Sequence, residues 1–151
     1  MKFRPIIWII ALVLIACKDK FTSVPQVEAK SISPETVFRG NTIKFVSKFT
    51  DQEGDLDSIL VVYKWYSGNA VTKVHDTIRE SVSAHSLPPN TRDGEIILQY
   101  SYNVGGPGQF PSLTPVPDNR DTLATLGIIV IDKDSNRSNY AESTRILMKE
   151  Q

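Results

Sequence analysis

The chain has a single cysteine in 151 residues. No intrachain disulfide can form, and no thiolate cluster can hold zinc or an iron–sulfur centre. An excess of charge is also missing: 17 Lys and Arg stand against 17 Asp and Glu, with a pI near 6.7. Without a basic face to neutralise phosphates, nucleic acid is excluded as a partner class. Amphipathic helical stretches are absent, because no segment sets apolar residues at i, i+3, i+4 and i+7 between caps. Nor does any apolar run suffice to cross a bilayer. The longest, residues 6–16, has eleven residues, about 16 Å as a helix against a hydrocarbon core of about 30 Å. The length fits one domain, since domains usually hold about 100–200 residues.

What is present begins with that run. Lys2 and Arg4 precede it, and Leu14-Ile15-Ala16-Cys17 closes it. A short basic segment followed by an apolar stretch and a small residue forms an export signal. An ordinary secretory signal with an incidental cysteine is one reading. The other follows from the position of the chain's only cysteine: Leu14-Ile15-Ala16-Cys17 resembles the lipobox of bacterial lipoproteins, with Ile15 where Ala or Ser is commoner. The resemblance implies that the Cys17 thiol receives a diacylglyceryl group, that cleavage precedes it, and that the new amino terminus is acylated. Residues 1–16 are then a lipoprotein signal peptide, 17–26 the lipidated cysteine with a flexible tether, and 27–151 the folded domain. Two or three acyl chains, at about 0.8 kcal/mol per buried CH₂, make such an attachment effectively permanent. The expected location is the cell envelope, lipid-anchored at the outer membrane, on its periplasmic or surface face. Lys18-Asp19 is similar to the signal by which some Bacteroidota lipoproteins reach the surface. Loss of Lys2 and Arg4 leaves 15 basic against 17 acidic residues.

Past residue 26 the periodicity is that of strands. Ile43, Phe45 and Phe49 share one face of residues 41–50, while Lys44 and Lys48 take the other. Residues 58–67 set Ile59, Val61, Tyr63 and Trp65 against Leu60, Val62, Lys64 and Tyr66. Residues 95–104 and 121–132 are similarly β-rich, and 27–33, 71–78 and 140–148 are shorter candidates. Turn signals separate them, among them Gly54-Asp55, Pro88-Pro89-Asn90 and Asp134-Ser135-Asn136. Seven strands without parallel crossovers predict an all-β fold, an immunoglobulin-like antiparallel β-sandwich of about seven strands. A jelly roll or small barrel is the alternative. The third and sixth strands, apolar on both faces, are expected innermost. The predicted core comprises Ile43, Phe45, Phe49, Ile59, Val61, Tyr63, Trp65, Ile96, Leu98, Tyr100, Leu126, Ile128, Val130 and Ile146.

The phrases Gly40-Asn-Thr-Ile-Lys-Phe-Val-Ser-Lys-Phe-Thr-Asp-Gln-Glu-Gly-Asp-Leu56 and Ile129-Val-Ile-Asp-Lys-Asp-Ser-Asn-Arg-Ser-Asn139 look like the Ig-like or cadherin-like domains of Bacteroidota envelope lipoproteins. Gln52-Glu53 and Lys133-Asp134-Ser135 depart from the usual residues of that pattern. The resemblance implies a fold more than a function, because such sandwiches host many roles.

The residues themselves carry one chemical constellation. Asp51, Glu53, Asp55 and Asp57 place carboxylates on alternate positions, and Asp132, Asp134 and Asn136 repeat the spacing. Ca²⁺ takes six to eight oxygens, and in an immunoglobulin topology these two loops lie at the same end. The competing reading is that Asp and Asn simply make good turns and stay solvated. Neither loop has the glycine and glutamate spacing of an EF-hand.

Catalysis is not expected. His75 and His85 lie near Ser81, Ser83 and Ser86, but no nucleophile elbow accompanies them. Gly105-Gly106-Pro107-Gly108 lacks the Lys-Ser or Lys-Thr of a phosphate loop. Residues 104–120 form an unusually long connection, in which Phe110, Leu113 and Val116 either present a contact surface or fold back over a sheet edge. The expected function is a non-catalytic binding or adhesion module, anchored through Cys17, with an unidentified protein or glycan partner and calcium as its one candidate cofactor. The alternative is a structural subunit of an envelope secretion or glycan-uptake assembly.

Overall fold

A computed structural model of the chain describes residues 21–67, 70–85, 87–116 and 120–149. Cys17 and residues 1–16 before it lie outside the described residues, as do Ser86 and the side chain of His75. The strands are β1 (Gln26–Ser33), β2 (Thr36–Val37), β3 (Thr42–Thr50), β4 (Leu56–Ser67), β5 (Ala70–Ser81), β6 (Asp93–Tyr102), β7 (Ser112–Leu113), β8 (Thr122–Asp132), β9 (Ala141–Glu142) and β10 (Ile146–Met148), with a 3₁₀ turn at Val82–His85.

Alternation dictates how they assemble. Successive side chains on a strand point to opposite faces, so a strand with apolar residues at every second position must bury that face against another sheet. One sheet has the order β1-β3-β6-β7 and the other β2-β10-β8-β4-β5, with β9 also pairing β8. The chain is therefore an all-β sandwich. Its six long strands β1, β3, β4, β5, β6 and β8, with β9 and β10 as a split seventh, follow the immunoglobulin order, and the third and sixth, β4 and β8, are central in their sheet. Between β1 and β2 the chain crosses from one sheet to the other, and β9 and β10 are two halves of one final strand on the same edge of β8.

Ile59, Val61 and Tyr63 of β4 and Leu126, Ile128 and Val130 of β8 pack with Ile43, Phe45 and Phe49 of β3 and Ile96, Leu98 and Tyr100 of β6, all buried. Register aligns the layers: Val61 pairs Ile128 and Tyr63 pairs Leu126, while Phe45 pairs Leu98 and Ile43 pairs Tyr100. Ile146 joins the same cluster. Trp65 is only partly buried and meets the Tyr63 ring edge-on, with centroids 6.0 Å apart. Gly127 sits mid-strand on β8, where a Cβ would meet Tyr140 Cε2 at 2.3 Å. The bare backbone lets that ring lie over the outer face.

Each edge is closed in its own way. Residues 103–116 loop round so that β7 pairs parallel with the last two residues of β6: Ser101 N donates to Pro111 O (2.9 Å), and Tyr63 OH to Thr114 O (3.4 Å). Leu113 is 2% and Val116 5% exposed, so these two belong to the core and are not a contact surface. Burial of two apolar side chains and pairing of the β6 edge outweigh exposing them. At the other edge of that sheet, the Asn139 amide accepts from Val27 N (2.9 Å) and donates to Val27 O (2.8 Å), standing in for a strand neighbour. On β5, Glu80 points inward and accepts from Tyr100 OH of the opposite sheet, and its Oε2 lies 2.8 Å from His85 Nε2.

On the outer face, Glu142 accepts from Tyr66 OH (2.8 Å) and Thr125 Oγ1 (2.5 Å), with Lys64 Nζ at 3.3 Å. Burial pushes its carboxyl up, but Thr125, Tyr66 and Lys64 together hold it below the ordinary range. His85, and then Tyr100, hold Glu80 low against desolvation. Both carboxylates thus bind protons more weakly in the folded chain than in the unfolded one. The stability they add is present above about pH 4.5 and lost as pH falls through their folded values. Urea unfolding midpoints should drop steadily on acidification below about pH 5, and Glu80→Gln should flatten that profile. Leu113→Ala should cost about 2–4 kcal/mol in the same measurement, whereas a free contact loop would leave stability unchanged.

Candidate functional site

The two acidic loops meet at one end of the sandwich. β3 ends at Thr50 and β8 at Asp132 on that end, and β4 starts from it. Asp51, Asp55 and Asp132 each offer a carboxylate oxygen, and these oxygens all lie within 4.8 Å of one another. Asp51 is fully buried and Asp132 is 4% exposed. Asp51 Oδ2 accepts from Asp55 N (2.9 Å), while Oδ1, equally buried, has no hydrogen-bond donor. Asp132 Oδ1 accepts from Asn136 N and Oδ2 from Asn136 Nδ2, both at 2.8 Å. Desolvation, then the charges of Asp51, Asp132 and Asp134, push the Asp55 carboxyl up from its ordinary value.

Backbone contacts fix these positions. Asp51 N donates to Arg92 O (2.7 Å), and Lys133 N donates to Asp55 O (3.2 Å), which ties the two acidic loops directly. Gly54 has φ +70, and a Cβ there would lie 2.7 Å from the Asn90 carbonyl carbon. Only glycine allows both that left-handed conformation and so close an approach of two backbones.

Four of the seven acidic-loop positions do not bring a carboxylate to this cluster. Glu53 and Asp134 are exposed at their turns. Asp57 lies on β4 and faces out, 3.8 Å from Arg79. Asp57 has the parity of the inward Ile59, Val61 and Tyr63, and the register shift between Leu56 and Ser58 is what turns it out of that face. Asn136 contributes as a donor that orients Asp132. Sequence reading missed Arg92, Asn90 and Lys133, which act through backbone groups and leave no signal in side-chain type. It also missed Glu80 with Tyr100 and Glu142 with Tyr66, pairs joined only by tertiary packing.

The same end receives the N-terminal segment. β1 starts beside it, with Gln26 paired to Thr50, and Gln52 N donates to Thr22 O (3.2 Å). Pro25 is buried. Residues 22–26, expected to belong to a free tether, are held against the domain. The 38–41 turn and the 103–111 segment lie at the opposite end: Gly40 N donates to Tyr102 O (2.9 Å), and Phe38 and Phe110 are exposed there. Beside the acidic cluster, a cleft of about 190 Å³ runs between Leu56, Val82, Leu87, Pro88 and Lys133, with Asp55 on its wall. Ser81 and Ser83 hydroxyls lie 2.9 Å from each other, and His85 is turned to Glu80.

Strand order and core define the class: an all-β sandwich whose hydrogen-bonded sheets follow the immunoglobulin arrangement. No protein-family model matches the chain. No curated protein matches its sequence. Among solved structures, Spo0M, a sporulation control protein from Bacillus subtilis, is similar, with a TM-score of 0.45 and 6% identity over 86% of this chain and 51% of that one. The chain thus spans about half the length of that protein.

Gly54→Ala should destabilise the domain by about 1–3 kcal/mol in urea unfolding, because backbone on both sides resists the added methyl. Gly105→Ala, whose Cβ would meet Ser112 at an ordinary 3.8 Å, should be near neutral. Equal effects would remove the steric argument for Gly54.

Proposed function

We propose that the chain is a lipid-anchored, non-catalytic binding module of the bacterial cell envelope, held through Cys17 and carrying its contact surface at the end remote from the anchor. The observation that carries this reading is the Gln52–Thr22 hydrogen bond beside the start of β1. It ties residue 22 to the acidic end of the sandwich, five residues after Cys17. A leash of that length reaches at most about 17 Å. The acidic end therefore stays close to the headgroups, and the 38–41 and 103–111 segments face away. Phe38 and Phe110, 54% and 42% exposed, supply apolar contact area on that outer end for a protein or glycan partner. Phe110 alone remains available from the loop residues singled out in the sequence.

Cys17→Ser tests the anchor. The variant should leave the membrane fraction or accumulate as unprocessed precursor, with no palmitate incorporated; normal palmitate labelling would overturn the reading. Crosslinking in whole cells tests the rest. Capture through position 110 but not through position 53 supports an outward-facing binding end. Stoichiometric capture of one fixed set of neighbours through both ends supports the structural-subunit alternative instead.

A further inference from the structure

We propose that Asp51, Asp55 and Asp132 bind one calcium ion, which braces the β3–β4 loop against the end of β8. The inference stands apart from lipidation and would hold for an unanchored domain.

Clustering of acids is not the argument, since exposed carboxylates gather without ions. Asp51 is what distinguishes this cluster. Its carboxylate is fully buried, one oxygen is satisfied by Asp55 N, and the other has no donor. A buried anionic oxygen left without a partner is costly. Here it belongs to a carboxylate already within 4.8 Å of two others. Among the described residues no Lys, Arg or His is paired with any of the three, although ion pairs form elsewhere, at Lys64–Glu142 and Lys149–Asp121 for example. The charge of Lys133 reaches Asp55, yet among the described residues no ion pair neutralises the buried acid.

Oxygen is the only donor type in the cluster, with no imidazole or thiolate, which points away from zinc and copper and toward a hard cation. Two of its three ligands come from the irregular β3–β4 loop and the third from the end of β8, rather than from one rigid frame. That suits Ca²⁺, which accepts six to eight oxygens in flexible geometry, better than Mg²⁺, which demands a near-ideal octahedron. Protein carbonyls and water fill the remaining positions. Asp132 is held in place for this by Asn136, and Asp55 by Lys133 N. Gln52, which receives the N-terminal segment at Thr22, is part of the braced loop, so the ion would also stiffen the point at which the chain enters the domain.

The test uses the full chain in detergent, stripped with EDTA and dialysed, and titrated calorimetrically with CaCl₂ and MgCl₂. One calcium per chain is expected, with a rise in Tm of about 5–10 °C at hundredfold excess over Kd. Asp55→Asn should weaken binding at least about tenfold. Asp51→Asn should lose the calcium response yet melt no lower than the parent in EDTA, since it relieves an unneutralised charge; a merely structural Asp51 would melt lower in both. Asp134→Asn, outside the cluster, should bind almost as the parent does. Absence of heat and of a thermal shift up to about 10 mM calcium, well above the weakest extracellular sites, would overturn the proposal. Binding that survives Asp51→Asn and Asp55→Asn alike would do so too, and tighter binding of magnesium would overturn the choice of ion.

Discussion

Everything in this molecule depends on two apolar sheet faces meeting: β3 and β6 from one side, β4 and β8 from the other. Their inward side chains are removed from water almost completely, and hydrophobic burial is the dominant favourable contribution to folding. With no disulfide available, the core bears that role without covalent support. Because side chains alternate on a strand, the same packing decides which residues face outward and pushes polar function to edges, the outer face and the two ends.

The edges show how a sandwich without an added helix protects itself. An unpaired strand edge offers hydrogen-bonding groups to any passing chain. Residues 111–113 cover the last two residues of β6, and the Asn139 side chain occupies Val27 on β1. At β5 the protection is electrostatic: Glu80 turns inward to Tyr100 and His85. A long proline-containing loop, at first sight a recognition element, is mostly structural, and only its tip with Phe110 stays exposed.

The two ends differ in kind. One is polar and tightly knit, with buried carboxylates, interlocked backbones at Gly54 and Asn90, and the N-terminal segment held at Gln52. The other presents apolar side chains on turns. That asymmetry is compatible with the proposed anchored orientation, in which the knit end would lie nearest the membrane and the remote one would be left for contact.

Much of this was legible in the residues. Period-two alternation at Ile43, Phe45, Phe49 and at Ile59, Val61, Tyr63 predicted strands and their inward faces, because β-strand direction is a local property of the backbone. The double-sided apolar character of residues 58–67 and 121–132 likewise marked the central strands. Alternation alone does not say which face of β8 turns inward; that was decided by pairing Val61 with Ile128. The acidic loops were visible as composition, but their ligand sets were not. Only the folded chain selects Asp51, Asp55 and Asp132 and turns Asp57 away, because selection depends on where one strand begins and how two loops distant in sequence approach. Sequence by itself determined the class of fold, the core strands and the lone cysteine's position behind an apolar run. Tertiary structure decided which loop residues became core, which carboxylates were buried together and which end of the domain receives the N-terminal segment, since each is a contact between positions that no local pattern connects.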